Sequence, residues 1–251
     1  MTPTLRVCAL YPELMNIYAD RGNIAVLRAR CEWRGLGFEL AASSLGEGVD
    51  PDAHDLFYMG GGQDRDQAAV ARDMVETKRD AMHAAADRGA VVLAVCGGYQ
   101  LLGSSYEMED EELPGIGLVD LRTVREPGER LIGNCAIEAD LGGGPGGGGS
   151  AGAGPHIVAG FENHGGRTYL GSGEQPLGRV LSGHGNNGKD GFEGVRKGNV
   201  IGTYLHGPLL PKNVWLADRL IELALGIELD PLPDDSMEDA AHMSARRAAG
   251  V

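Results

Sequence analysis

Cys96 stands where an apolar run, VVLAV, meets two glycines and a second apolar stretch, YQLLG, of different period. A free cysteine in such a place has two readings. It is a packing residue, since free Cys is among the most buried residue types, or a nucleophile presented on a sharp turn. A nucleophile elbow needs a strand, a tight turn flanked by small residues and a helix start behind it. Ala94, Val95, Cys96, Gly97 and Gly98 meet each requirement, with Ala94 where hydrolases carry the first glycine. The helix N-terminus would add partial positive charge that lowers a thiol pKa, and N–H groups that can hold an oxyanion. Cys8, Cys31 and Cys135 instead sit inside apolar patterns. With no C-x-x-C and no His at ligand spacing beside them, a disulfide frame or a structural metal is not expected.

A thiolate also needs a base, which can be distant in sequence if it is near in space. Residues at the carboxyl ends of neighbouring parallel strands share one crevice, and His206 ends the run VIGTYLH. Among the other histidines, His54 begins a strand, His83 lies in a helix, His156 follows a glycine tract and His242 lies near the chain end. His164 and His184 occupy Gly-rich loops, where turn formation is a sufficient explanation. Gly60, Gly61 and Gly62 close a third strand at the same edge. Their N–H groups could complete an oxyanion site with that of Gly97, or the three could form only a tight strand-to-helix turn.

The elements that would hold these residues read as an α/β protein with a mostly parallel central sheet flanked by helices. Residues 5–11, 38–42, 54–59, 91–95 and 200–205 read as strands. Ile24, Leu27 and Cys31 mark a first helix, residues 64–88 a long second one stopped by Gly89, and residues from 212 an amphipathic last one. Residues 117–124, 130–139, 157–162 and 180–182 add further strands in the second half. One domain over residues 1–228 is expected, with residues 141–155 a mobile Gly-rich insertion. Residues 229–251 read as a tail, or as a helix needing a partner.

Charge narrows the function classes. Thirty-six Asp and Glu against 22 Lys and Arg give a formal charge of −14, which repels phosphate backbones and anionic surfaces and argues against nucleic-acid binding. No long uncharged apolar window and no signal segment occur, so a soluble, cytoplasmic protein is expected. The absence of G-x-x-x-x-G-K-[ST] leaves no phosphate cradle.

In YADRGNIAVLR (18–28), YMGGGQDRDQ (58–67), VCGGYQLLG (95–103), GFENHGGRTY (160–169) and GTYLHGPLLPKN (202–213), the sequence resembles the class I glutamine amidotransferases of the cobyric-acid-synthase-like branch. Within that branch it is similar to the small amidotransferase subunits of lipid II isoglutaminyl synthases, over about residues 5–226. The resemblance implies a flavodoxin-like three-layer fold, with Cys96 attacking the carboxamide of L-glutamine and His206 shuttling the proton. Backbone amides near Gly61 and Gly97 would hold the oxyanion. It further implies that Arg130 binds the glutamine α-carboxylate, a task suited to its planar fork, although a solvated charge at a strand start explains Arg130 equally. Gln100 could line the pocket or only pack.

The implied partner is a MurT-like Mur-ligase subunit, which would carry ATP and magnesium and amidate lipid II at the inner face of the membrane; no cofactor is expected in this chain. One departure stands out. Amidotransferases of this class carry a Glu two residues after the histidine, and here that place holds Pro208. An orienting acid would come from elsewhere in the chain or, as we expect, from the partner. Two other readings remain: an amidotransferase serving another carboxylate such as a corrinoid, and a non-catalytic regulatory module. The first is disfavoured by a chain that begins at the amidotransferase strand, the second by an intact Cys96 and His206.

Overall fold

The computed structural model describes residues 2–16, 21–108, 111–142 and 154–251. Its centre is β4 (Val91–Val95), apolar and buried at every position, the pattern of a strand covered on both faces. On one side β4 pairs in parallel with β3 (Leu56–Met59), followed by β1 (Thr4–Leu10) and the edge strand β2 (Gly37–Ser43). On the other side it pairs in parallel with β14 (Val200–Thr203), beyond which β13 (Val195–Lys197) closes the sheet in antiparallel sense. The order β13-β14-β4-β3-β1-β2 therefore puts the carboxyl ends of β3, β4 and β14 side by side.

Helices α1 (Arg21–Glu32) and α5 (Val214–Leu225) pack together, and α5 also reaches β1 and β4. In α1 the inward face is Asn23, Leu27, Arg30 and Cys31, at i, i+4, i+7 and i+8. Two of these are polar and satisfied. Asn23 donates to the Tyr58 hydroxyl at 2.9 Å and accepts from the Leu210 N–H at 2.7 Å. Arg30 makes a two-pronged pair with Asp218 of α5 and a further pair with Asp235. Removing one partner of so buried a pair costs about 3–5 kcal/mol, because the other charge is left uncompensated.

The helix expected over residues 64–88 is interrupted. It runs as α2 (Asp64–Asp73), widens into a π turn over Met74–Lys78 and resumes as α3 (Arg79–Asp87). The reason is Lys78, fully buried, whose ammonium donates to Asp73 at 2.6 Å and to the Ser44 carbonyl at 3.0 Å. Such single π turns place a side chain that a regular helix would misdirect.

The second half carries two four-stranded sheets. One has the order β10-β7-β5-β6, from Gly166–Leu170, Leu121–Arg125, Ser105–Glu107 and Glu112–Pro114. The other has the order β12-β11-β8-β9, from Phe192–Glu193, Gly178–Ser182, Leu131–Ala139 and His156–His164. Most of the Gly-rich insertion expected over 141–155 lies outside the described residues. Within 229–251 the chain forms α6 (Ser236–Ala249), which packs on the short turn Leu210–Lys212 and on β8 and β9. Among the described residues no helix is long and apolar enough to cross a membrane.

Candidate active site

β4 ends in a backbone conformation that few L-residues adopt. Cys96 has φ 52° and ψ −108°, and α4 (Gly97–Leu101) begins at the next residue. A non-glycine held there costs about 1–3 kcal/mol and persists only where its surroundings over-determine it. Here they do. The Cys96 N–H donates to the Thr203 carbonyl at 2.8 Å, and its own carbonyl accepts from the Gln100 N–H at 3.1 Å.

The glycines behind Cys96 are required by close approach. A Cβ on Gly98 would lie 2.8 Å from the Met59 carbonyl and 2.9 Å from that of Gly60, and one on Gly97 would strike Gln67 and come within 3.3 Å of the Gly62 nitrogen. The Gly98 N–H donates to the Gly60 carbonyl at 3.2 Å. Gly60, Gly61, Gly62 and Gly97 therefore lie together, as the register of β3 on β4, Met59 opposite Ala94, requires.

His206 reaches the same edge. β14 stops at Thr203, paired with Val95, two residues short of the strand expected over residues 200–205. Tyr204 and Leu205 leave the sheet, and His206 is caught by Phe161, the two exchanging both backbone hydrogen bonds at 3.0 Å. The imidazole is fully buried. Burial, aided by the charge of Lys212, pulls its pKa down to about 4, so the ring is neutral at physiological pH and able to accept a proton. Cys8 and Cys31, by contrast, are pushed up by burial to about 11 and about 12, and Cys135 is raised further still. Burial thus disfavours the thiolate form at these three positions.

Gln100 is buried and donates to the Tyr204 hydroxyl at 3.1 Å; that hydroxyl shares a hydrogen bond of 2.6 Å with Thr168, which meets Thr123 at 2.7 Å. Arg130 is exposed, its Nε donating to the Asn163 side chain at 3.0 Å and its Nη2 to the Asn163 carbonyl at 3.2 Å. Between them stands His164, which is no loop residue. It ends β9 on the buried face with Gly160 and Glu162, stacks on the Tyr204 ring at 3.5 Å and bonds the Gly166 carbonyl through Nδ1. Burial lowers its pKa to about 3. The alternation of Gly160, Glu162 and His164 was the available signal for it. Gln67, Thr203 and Glu193 also belong to the surroundings of the site; nothing in their spacing marked them.

A groove of about 600 Å³ elsewhere, between α1 and β2, is lined by Ile24, Leu40, several alanines and the charged Arg21, Arg28 and Glu32. Its lining contains neither thiol nor imidazole.

Residues 6–214 match the family of CobB/CobQ-like glutamine amidotransferase domains. The chain is 38% identical over 236 residues to the "Lipid II isoglutaminyl synthase (glutamine-hydrolyzing) subunit GatD" of Staphylococcus aureus, covering 94% of this chain and 90% of that one. It is 37% identical to the protein of the same name from Streptococcus pneumoniae, over 88% of this chain and 80% of that one. The cobyric acid synthase of Pelotomaculum thermopropionicum is 42% identical, but over 51% of this chain and 25% of its own length. Among solved structures, PurLQS from Thermotoga maritima superposes with a TM-score of 0.60 at 20% identity, covering 90% of this chain and 99% of that one. The glutaminase domain of Trypanosoma brucei CTPS with bound acivicin gives 0.52 at 12% identity, covering 91% and 96%. These two likenesses concern the fold.

Proposed function

We propose, because the chain belongs to the CobB/CobQ-like glutamine amidotransferase family, that it hydrolyses L-glutamine and delivers the ammonia to a Mur-ligase-like partner of the MurT kind. The acceptor is the α-carboxylate of the D-glutamate in lipid II, which becomes D-isoglutamine. The observation that carries the reading is the convergence at one sheet edge of Cys96, on its left-handed turn at the end of β4, and the buried His206, three residues past the end of the neighbouring β14. The names borne by the Staphylococcus and Streptococcus relatives support the acceptor.

The arrangement suits acyl transfer. Sγ of Cys96 attacks the side-chain amide carbon of glutamine as His206 takes the thiol proton. Backbone N–H groups about Gly61 and Gly97 stabilise the tetrahedral oxyanion. Collapse of the intermediate breaks the C–N bond, His206 returns the proton to the departing nitrogen, and ammonia leaves a γ-glutamyl thioester on Cys96. Water, losing a proton to His206, then hydrolyses the thioester to glutamate and restores the thiol. Arg130 takes the glutamine α-carboxylate, and Gln100 lines the pocket beside Tyr204. In this reading ATP and magnesium would be held by the partner and would supply the activation of the acceptor carboxylate.

Pro208 occupies the place of the usual orienting acid, and in this reading a carboxylate of the partner takes over its task. The isolated chain should then hydrolyse glutamine well below the rate of the complex; equal rates would remove this part of the reading. The acceptor is tested by incubating the complex with lipid II, glutamine and ATP. Replacement of OH by NH₂ lowers the lipid II mass by about 1 Da. Glutamine consumed with the mass of lipid II unchanged would overturn the acceptor and leave the glutaminase.

A further inference from the structure

We infer that Glu193 is a positioning residue for His206, acting on the backbone that carries the imidazole and not on the ring. This rests on the reading of Cys96 and His206 as the glutamine-hydrolysing pair. Glu193, on β12, is fully buried. One carboxylate oxygen accepts from the Thr203 hydroxyl at 2.9 Å and the other from the Tyr204 N–H at 2.6 Å. The Thr203 oxygen in turn accepts from the Leu205 N–H at 3.0 Å. The three residues immediately before His206 thus hang on one side chain.

They need it because of where β14 stops. Its ladder to β4 ends at Thr203, so Tyr204 and Leu205 have left the sheet that would pair their N–H groups, and buried N–H groups must find other acceptors. Glu193 and the Thr203 hydroxyl supply them, until Phe161 receives His206. The path from sheet edge to imidazole is therefore set by a carboxylate on a neighbouring sheet. The same Thr203 offers its carbonyl to the Cys96 N–H, so the anchor fixes the nucleophile turn and the base segment in one frame. Burying a carboxylate is costly: burial raises the Glu193 pKa to about 8 against the pull of its donors. An apolar side chain would fill the same space without that cost but could accept none of these hydrogen bonds.

The test uses the full chain, assayed for glutamine hydrolysis with its Mur-ligase-like partner, in Glu193→Gln, Thr203→Val and Thr203→Ser. Displacing a reacting group by a fraction of an ångström to 1 Å should lower kcat about 10- to 100-fold in Glu193→Gln and Thr203→Val, with KM for glutamine within about 2-fold of wild type. Thr203→Ser, which keeps the hydroxyl, should restore kcat to within about 3-fold. The double variant Glu193→Gln/Thr203→Val should be no slower than the slower single one, since both break the same contact. The inference is overturned if kcat in Glu193→Gln and Thr203→Val stays within about 2-fold of wild type, if KM rises in step with the loss, or if Thr203→Ser is as slow as Thr203→Val. Should Glu193→Gln not fold, the Thr203 pair decides alone. A wild-type complex that hydrolyses no glutamine would instead sink the glutaminase reading.

Discussion

Two residues other than glycine have left-handed backbone among those described, Tyr11 at φ 50° and Cys96 at φ 52°, and both follow parallel strands of the central sheet. Their surroundings differ. At Tyr11 the backbone is held by the Ser43 carbonyl ahead and by the Leu14 and Met15 N–H groups behind, and the side chain adds a second hold: the hydroxyl donates to Asp73 at 2.7 Å and the Lys78 ammonium sits 4.4 Å over the ring. At Cys96 the backbone is secured by backbone, from Thr203 ahead of it and Gln100 behind. Strain of this kind therefore marks a sharp exit from a strand and not, by itself, chemistry. A buried ion pair stands over the side chain at one exit, and a neutral imidazole shares the crevice at the other.

The contrast is broken most sharply by exchanging the two side chains' duties. Cys96→Ser should lower glutamine hydrolysis by at least about 10³-fold while leaving the melting temperature within a few degrees. Tyr11→Phe should do the reverse, costing about 1–2 kcal/mol of stability through the orphaned Asp73 contact, with kcat/KM within about 2-fold. If both variants lose activity and stability together, the distinction fails. His206→Asn should slow turnover about 10²- to 10³-fold without changing the fold measured by circular dichroism.

The two sites also differ in their response to acid. At the Tyr11 exit, burial acts to raise the Asp73 pKa, but Lys78, Tyr11 and the Gly46 N–H outweigh it and bring it from 3.8 down to about 2. A depressed carboxylate contributes stability that is present above its unfolded pKa and lost as pH falls through the folded one. Unfolding free energy should thus fall between pH 4 and pH 2, and less steeply in Asp73→Asn, as urea titrations across that range would measure. At the Cys96 exit the smallest effect is expected. Lys212→Met removes the charge that helps hold His206 down, so the acidic limb of the kcat/KM profile of the isolated chain should move to higher pH. An unmoved limb would detach Lys212 from the imidazole.

Much of this frame could be read from the residues. VVLAV reads as a strand buried on both faces, and the small residues around Cys96 leave room for Met59, Gly60 and Gln67 to close in. What escaped reading was polar and long-range. His164 stands next to two glycines, a turn signal that concealed its place at the end of β9. Glu193 lies between Phe192 and Gly194 on a two-residue strand too short to show a period. The π turn escaped because apolar spacing says nothing about a buried Lys78, whose partners Asp73 and Ser44 lie on other elements or an earlier turn. The strands Ser105–Glu107 and Glu112–Pro114 are set by pairing with one another and not by composition.

The carbonyl that clamps the Cys96 turn belongs to Thr203, more than a hundred residues further along the chain. During synthesis β4 emerges long before β14, and a contact of such separation forms only after both strands exist. Until then the clamp ahead of Cys96 is missing, and the turn is held only from the side of Gln100 and Gly60. The complete Cys96 turn is consequently among the last features to form, so an interrupted chain carries the cysteine without its clamp.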